Sequence, residues 1–323
     1  MFRLHEVFVV AAILLSLFGD CPVLAQANQP SPPSRIFAPY VDLTKLTMSL
    51  PQLQSASGAK TFTLAFIVSG SGCMPAWGGS ALVSGDTKIA GEVRKLRETG
   101  GDVIIAFGGY DGTDLGQSCD SISSLQAVYQ AVIDKYKANI LDFDVEHTAI
   151  EDPVSIDRRS QALKALATAN PGLQINYTLP ATPAGLTDPS VNVLKSAVKY
   201  GTPVAVVNLM TMDYGAAVPM GAMGPNAVAA ASGAMCQLKS LGLNARVGIT
   251  PMIGVNDTPG ETFTLDDAQV VLNYALANTN TVALLAFWSV GRDNGSCFGT
   301  VSPYCSGIPQ KDWDFTRIFQ GFH

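Results

Sequence analysis

Three carboxylates share one short apolar run. In ANILDFDVEH, residues 138–147, Asp142, Asp144 and Glu146 take every second position, with Phe143 and Val145 between them. Alternate side chains of a strand project to one face, so this spacing predicts all three acids on the same side. Carboxylates crowded in this way cannot all ionise cheaply, and at least one has a raised pKa and keeps its proton. An acid protonated near neutral pH suits glycosidic cleavage, in which the leaving oxygen takes up a proton as the bond breaks. Glu146, the outermost, reaches farthest. Asp144, one pleat deeper, is placed to hydrogen-bond Glu146 or a substrate group, and Asp142 to share a proton with Asp144. Two plainer readings compete. A solvated edge face is disfavoured because the flanking residues are apolar. An oxygen-only metal site stays open from the D-x-D spacing, but beyond residue 27 the histidines are His147 and His323, and His147 alternates away from the acids.

Such a strand needs neighbours to bury it. From residue 36 onward, eight apolar runs alternate with amphipathic segments: IFAPYVD, TFTLAFIVS, DVIIAFGGY, NILDFDVE, LQINYTLP, VAVVNLMTMDY, ARVGITPMIG and VALLAFWSVGR. Near-continuous apolar strands separated by helices with a polar face indicate a parallel sheet covered by helices. Eight such units predict an α/β fold of the (β/α)8 TIM barrel type, one domain over residues 36–323. A doubly wound open sheet would have the same periodicity, but no glycine-rich phosphate fingerprint follows the first run. In a barrel, the C-terminal strand ends face the mouth. That rule brings Gly108 and Gly109 of the third strand, the acids of the fourth, Met212 and Tyr214 of the sixth and Trp288 of the eighth to one cavity.

Composition narrows the function. The chain has 323 residues, 47% hydrophobic and 14% charged, with 20 Lys+Arg against 26 Asp+Glu. Without a basic cluster there is no electrostatic footprint for nucleic acid. No G-x-S-x-G elbow, P-loop or zinc spacing is present. Residues 1–27 read as a signal peptide: Arg3, an apolar stretch of twelve at 7–18, and Ala25 and Ala27 as an A-x-A cleavage site. Twelve residues fall short of the ~20 of a membrane span, and the acid Asp20 before Cys21 argues against a lipoprotein site. The expectation is a secreted protein, a monomer free of the membrane once the signal is removed. Residues 28–35, NQPSPPSR, form a Pro/Ser tether. Export permits disulfides. Cys73 and Cys119 lie in loops after successive strands, and Cys297 and Cys305 bracket one loop, which predicts those two bridges and leaves Cys236 outside both.

These residues resemble the chitinase-like glycoside hydrolases of family 18. The family's D-x-x-D-x-D-x-E is similar to Asn139, Asp142, Asp144 and Glu146, with Asn in first place. Its S-x-G-G is similar to Ala106-Phe107-Gly108-Gly109, and its M-x-Y-D to Met210-Thr211-Met212-Asp213, with Met212 in the Tyr place. Trp288 stands where a family Trp ends the eighth strand, and the likeness spans essentially all of the chain after residue 27. The resemblance implies retaining, substrate-assisted hydrolysis of β-1,4-linked N-acetylglucosamine polymers, with no cofactor and no metal. Chitin or chito-oligosaccharide is then the partner. Glu146 would be the acid, Asp144 would hold the acetamido N–H, Asp142 would tune Asp144, and Trp288 would floor the sugar. The family Tyr helps to hold the acetamido carbonyl; with Met212 there, Tyr214 or Tyr177 is expected to supply the hydroxyl.

Other aromatic residues carry plainer readings. Trp77, beside Cys73, is either a sugar platform on the rim or a loop anchor, and Trp313 reads as part of the apolar face of a closing helix and not as a site residue. Three rivals stand beside hydrolysis of chitin. An endo-β-N-acetylglucosaminidase on glycoprotein glycans could use the same catalytic strand. A non-catalytic chitin-binding lectin of this fold would lack the acid, so Glu146 counts against it. A metal-dependent phosphodiester or sugar-phosphate barrel would need His ligands that the chain lacks.

Overall fold

A computed structural model describes residues 35–215 and 221–322. The signal segment and all of the tether except Arg35 lie outside the described residues. Eight parallel strands form the framework. The first, β1, comes in two pieces, Ile36–Phe37 and Tyr40–Asp42. It is followed by β2 (Thr61–Ser69), β3 (Asp102–Gly108), β4 (Ile140–Asp144), β5 (Gln174–Thr182), β6 (Val204–Met210), β7 (Arg246–Thr250) and β8 (Val282–Leu285). Each pairs in parallel with the next from β1 to β7, β7 pairs with β8, and β8 pairs back to the first piece of β1. Between the pieces of β1, Ala38 N donates to Leu285 O at 2.9 Å and Thr63 N to Pro39 O at 3.0 Å. The segment is therefore bonded on both edges and the ring returns to its start. Pro39 has no N–H to give, which accounts for the break inside β1.

Helices follow the strands: α1 (Leu50–Ser57), α2 (Lys88–Glu98), α3 (Ile122–Tyr136), α4 (Pro153–Ala169), α5 (Asp188–Tyr200), α6 (Met223–Ser240), α7 (Leu265–Ala277) and α8 (Asp314–Phe319). The stripe that α3 buries, Leu125, Val128, Tyr129, Val132, Ile133 and Tyr136, has the 3–4 residue spacing of one helix face. Capping boxes at Ser49, Ser121 and Thr264 satisfy first-turn N–H groups of α1, α3 and α7. Among the described residues, no helix is long and apolar enough to cross a membrane.

The barrel interior is layered. Ala38, Ile104, Val206, Ala283 and Leu284 fill one level. Above them lie Tyr40 with three small residues, Ala65, Ala106 and Ala286, against which Phe66 and Trp288 pack. Alanines at that level leave room over the strand ends. Two bridges form as the sequence suggests, Cys73–Cys119 and Cys297–Cys305, with Cys236 in neither.

Candidate active site

At the C-terminal ends of the strands lies a cavity of about 280 Å³. Its floor is aromatic: Phe66 stacks on Trp288 with centroids 5.6 Å apart, and Tyr40 lies 6.0 Å and 6.1 Å from the two rings. Asp144 and Glu146 line one wall, and Met210, Met212, Asp213, Thr250 and Met252 come from β6, β7 and the residues that follow them. Glu146 stands beyond the end of β4, yet its backbone is extended, with φ −143° and ψ −174°. Alternation thus carries through from Asp142 to Glu146, as the spacing requires.

The acids differ in what they touch. Asp142 is 1% exposed, and both of its oxygens accept hydroxyl protons, from Thr178 at 2.7 Å and from Tyr40 at 2.8 Å. Behind them, Asn208 Nδ2 donates to Thr178 at 3.0 Å and Thr250 donates to Asn208 Oδ1 at 2.9 Å. This chain of hydroxyl and amide groups crosses the barrel from β1 to β7. Burial pushes Asp142 up to about 6, and the bonds from Thr178 and Tyr40 pull it back. Asp144 is 5% exposed and its Oδ1 has no partner. Burial first, then the charges of Glu146 and Asp142, hold it well above the usual carboxylate range. Burial pushes Glu146 up to about 7, with the charges of Asp111 and Asp213 adding to it. The proton sharing expected between Asp142 and Asp144 is replaced by Coulomb coupling, because Tyr40 and Thr178 already occupy Asp142.

Several expected site residues lie elsewhere. Tyr177 faces outward from β5, fully buried, its ring 6.0 Å from Phe143. Alternation turns Asn176 and Thr178 inward and so excludes it. Tyr214 is not in the cavity lining. Strand β6 ends at Met210 and Asp213 has φ 49°, which breaks the two-residue period before Tyr214. Its N–H instead donates to Glu261 at 3.1 Å. Trp77 is 3% exposed, and its indole N–H donates to Tyr136 at 2.7 Å. It anchors the short strand Pro75–Trp77 and is not a platform on the rim. Gly108 borders only a small adjoining recess; a Cβ there would collide with the Asp144 carbonyl, so its φ of 88° serves the close approach of β3 to β4. Tyr40, Phe66, Tyr110, Asp111, Thr178 and Asp257 line the cavity without having been singled out from sequence. Inward parity on β1 and β5 marks Tyr40 and Thr178, whereas Tyr110, Asp111 and Asp257 lie on loops that no periodicity reports.

No family model matches the chain. Two curated relatives do. A probable bifunctional chitinase/lysozyme of Escherichia coli (strain K12) is 36% identical over 315 residues, and Endochitinase 11 of Metarhizium anisopliae is 36% identical over 283. These matches take in 90% and 81% of this chain but only 35% and 53% of the relatives, so the chain spans about a third of one and half of the other. Among solved structures, catalytic-site mutants of active domain 2 of a thermostable chitinase from Pyrococcus furiosus, complexed with chito-oligosaccharides, superpose with a TM-score of 0.81 at 38% identity. That likeness covers 90% of this chain and 95% of the other. The chain belongs to the chitinase-like glycoside hydrolases of family 18. Within this family 18 chain, the D-x-D-x-E strand end, the aromatic floor and the Met212 wall are thus parts of a glycoside hydrolase barrel.

Proposed function

We propose that the protein is an exported, monomeric chitinase that cleaves β-1,4-linked N-acetylglucosamine polymers with retention of configuration. The observation that carries this is Asp144, a buried carboxylate in the cavity lining with no side-chain hydrogen bond to occupy it, beside an acid raised to about 7, over an aromatic floor. A sugar's 2-acetamido N–H is a donor that would satisfy that carboxylate. Glu146, protonated near neutral pH, donates its proton to the glycosidic oxygen as the bond to the anomeric carbon breaks. The acetamido carbonyl oxygen attacks that carbon, and the cyclic cation that forms lies against Asp144. Glu146, now a carboxylate, takes a proton from the water that reopens the ring. Asp142 acts through Asp144, held still by Tyr40 and Thr178. The printed names of the relatives, chitinase and endochitinase, and the oligosaccharides bound to the Pyrococcus furiosus domain support the substrate class.

The test compares the mature protein with Glu146→Gln on chito-oligosaccharides, following products and their first anomer by NMR. Fresh β-anomer from the unaltered protein and none from the variant is the expected result. Binding without cleavage by both proteins would make the molecule a lectin, and α-anomer as the first product would remove the retaining mechanism.

A further inference from the structure

Between β6 and β7 the cavity wall is tied to one buried carboxylate. Strand β6 ends at Met210, and Met212 and Asp213, which line the cavity, lie beyond it. Pairing towards β7 runs as far as Thr211 N to Thr250 O at 3.0 Å. Asp213 then has φ 49° and Gly215 φ 84°, so the chain turns sharply through two left-handed residues. Glu261 closes that turn: its two oxygens accept the Tyr214 N–H at 3.1 Å and the Gly215 N–H at 2.8 Å. Consecutive backbone N–H groups in such a turn form a small anion-binding concavity, and their bonds to a carboxylate are stronger than those to a neutral acceptor. Glu261 is 4% exposed. A carboxylate so deeply buried needs donors, and the turn supplies them. The carboxylate is itself fixed from behind. It belongs to a hairpin after β7 in which Gly254–Val255 pairs antiparallel with Thr262–Phe263. Arg292, buried, donates to the carbonyls of Ile253, Val255 and Ser302, and the Val255 N–H donates to Ser306 O at 2.7 Å. From the same hairpin the Thr258 N–H donates to Asp213 Oδ1 at 2.7 Å. Thr258 thus aims the Asp213 side chain, while Glu261 fixes the backbone that carries it.

We propose that Glu261 is a positioning residue of the reaction: it locks the turn after β6 and so holds Met212 and Asp213 in the wall that faces Glu146. This rests on the hydrolase reading and adds to it a residue outside the cavity lining. Met212 and Asp213 have left the strand, so their place is set by what the turn is tied to. A misplacement of about 1 Å at a distance from the chemistry can cost on the order of 100-fold in rate. Asp213 also bears on the acid through its charge: burial first, then Asp111, then Asp213 raise the Glu146 carboxyl. Tyr40, Asp111, Asp144 and Asp257 face the same cavity, and Arg292 behind the hairpin acts electrostatically on Asp257 and Asp213. Of these groups, only Asp213 lies on the turn that Glu261 binds.

The experiment compares Glu261→Gln and Glu261→Ala with the unaltered protein. Gln sets a donor against one of the two N–H groups, and Ala removes both acceptors. Amide hydrogen exchange by NMR reads the hold directly. Exchange at Tyr214 and Gly215 should rise by about tenfold in Glu261→Gln, the weight of one bond to a charged group, and further in Glu261→Ala, while β5 and β6 keep their protection. Kinetics on chito-oligosaccharides read the consequence. The value of kcat should fall by about 10- to 100-fold with a smaller change in KM. The alkaline limb of kcat/KM should move to lower pH by on the order of half a unit, because a slackened Asp213 raises Glu146 less. A residue that only stabilises the fold would leave that limb in place. The limb shift should also vanish when Asp213→Asn is already present; a shift that persists there belongs to the charge of Glu261 itself and overturns the positioning role. Unchanged exchange at Tyr214 and Gly215, or a limb that stays, overturns it as well. If Glu261→Ala does not fold, Glu261→Gln answers the same questions. Raised exchange in the variants of a protein that cleaves nothing defeats the hydrolase reading alone and leaves the hold of Glu261 on the turn standing.

Discussion

Two buried carboxylates border the same small recess beside the mouth, and only one has a cation. On the helix side, Asp114 is 7% exposed and meets Arg159, fully buried on α4, at 2.7 Å, while also accepting the Gly116 N–H at 2.6 Å. In the mouth, Asp144 is as deeply buried and has neither a cation nor a donor on Oδ1. Removing a charge from water costs several kcal/mol unless it is paired. Pairing Asp114 fixes the loop after β3, which Cys73–Cys119 also ties down and which carries Tyr110 and Asp111 to the cavity. Asp144, left unpaired, is instead held well above the usual carboxylate range by burial and by the charges of Glu146 and Asp142. Where a carboxylate only holds a loop, the fold neutralises it. Where a proton must move, the counter-charge is withheld.

The contrast can be broken at its most reactive member first. Glu146→Gln should lower turnover by about 10²–10⁴-fold, the span of a general acid, while oligosaccharide binding persists in calorimetry. Next in size is the helix side. Arg159→Met strands Asp114 without its cation and should cost about 3–5 kcal/mol in urea unfolding. If Asp114→Asn in the same chain restores most of that loss, the penalty belongs to the lone charge; if it restores none, Arg159 acts through packing.

The pH dependence sharpens the mouth side. Glu146 works as the acid only when protonated, so kcat/KM should hold below pH 7 and fall about tenfold per unit above it, given its pKa of about 7. Asp111→Asn removes a neighbouring negative charge and should move that limb to lower pH. A limb that stays in place would remove Asp111 from the electrostatics of Glu146. The last effect concerns stability. A carboxyl whose pKa rises on folding binds more protons folded than unfolded, so its contribution falls as pH climbs from the usual value near 4.5 to about 7. Glu146→Gln should therefore be more stable than the unaltered protein by on the order of 3 kcal/mol at pH 8, with the gain gone near pH 4, by thermal unfolding at both values.

Much of the site was readable because strands have a period of two. The eight runs, the shared face of Asp142, Asp144 and Glu146, and the position of Trp288 all follow from hydrophobic alternation, and the positions of the loop cysteines anticipated both bridges. The same rule, applied on β5, excludes Tyr177 in favour of Thr178. It fails at Tyr214, where the left-handed backbone of Asp213 ends the register. Sequence could not tell whether Trp77 was platform or anchor, since that depends on Tyr136, far along the chain on α3.

Local pattern alone thus determined the strand and helix periods, the charge balance and the clustering of three acids on one strand face, because each depends on residues a few positions apart. Only the tertiary structure decided which acid is satisfied and which is not. Tyr40, Thr178, Asn208 and Thr250 reach Asp142 from four other strands, directly or through one another, and the loops of β3, β6 and β7 bring Asp111, Asp213 and Asp257 round Glu146. The pKa of a carboxyl depends on burial and on charges within a few ångströms, whatever their distance along the chain, and that proximity is a property of the closed barrel.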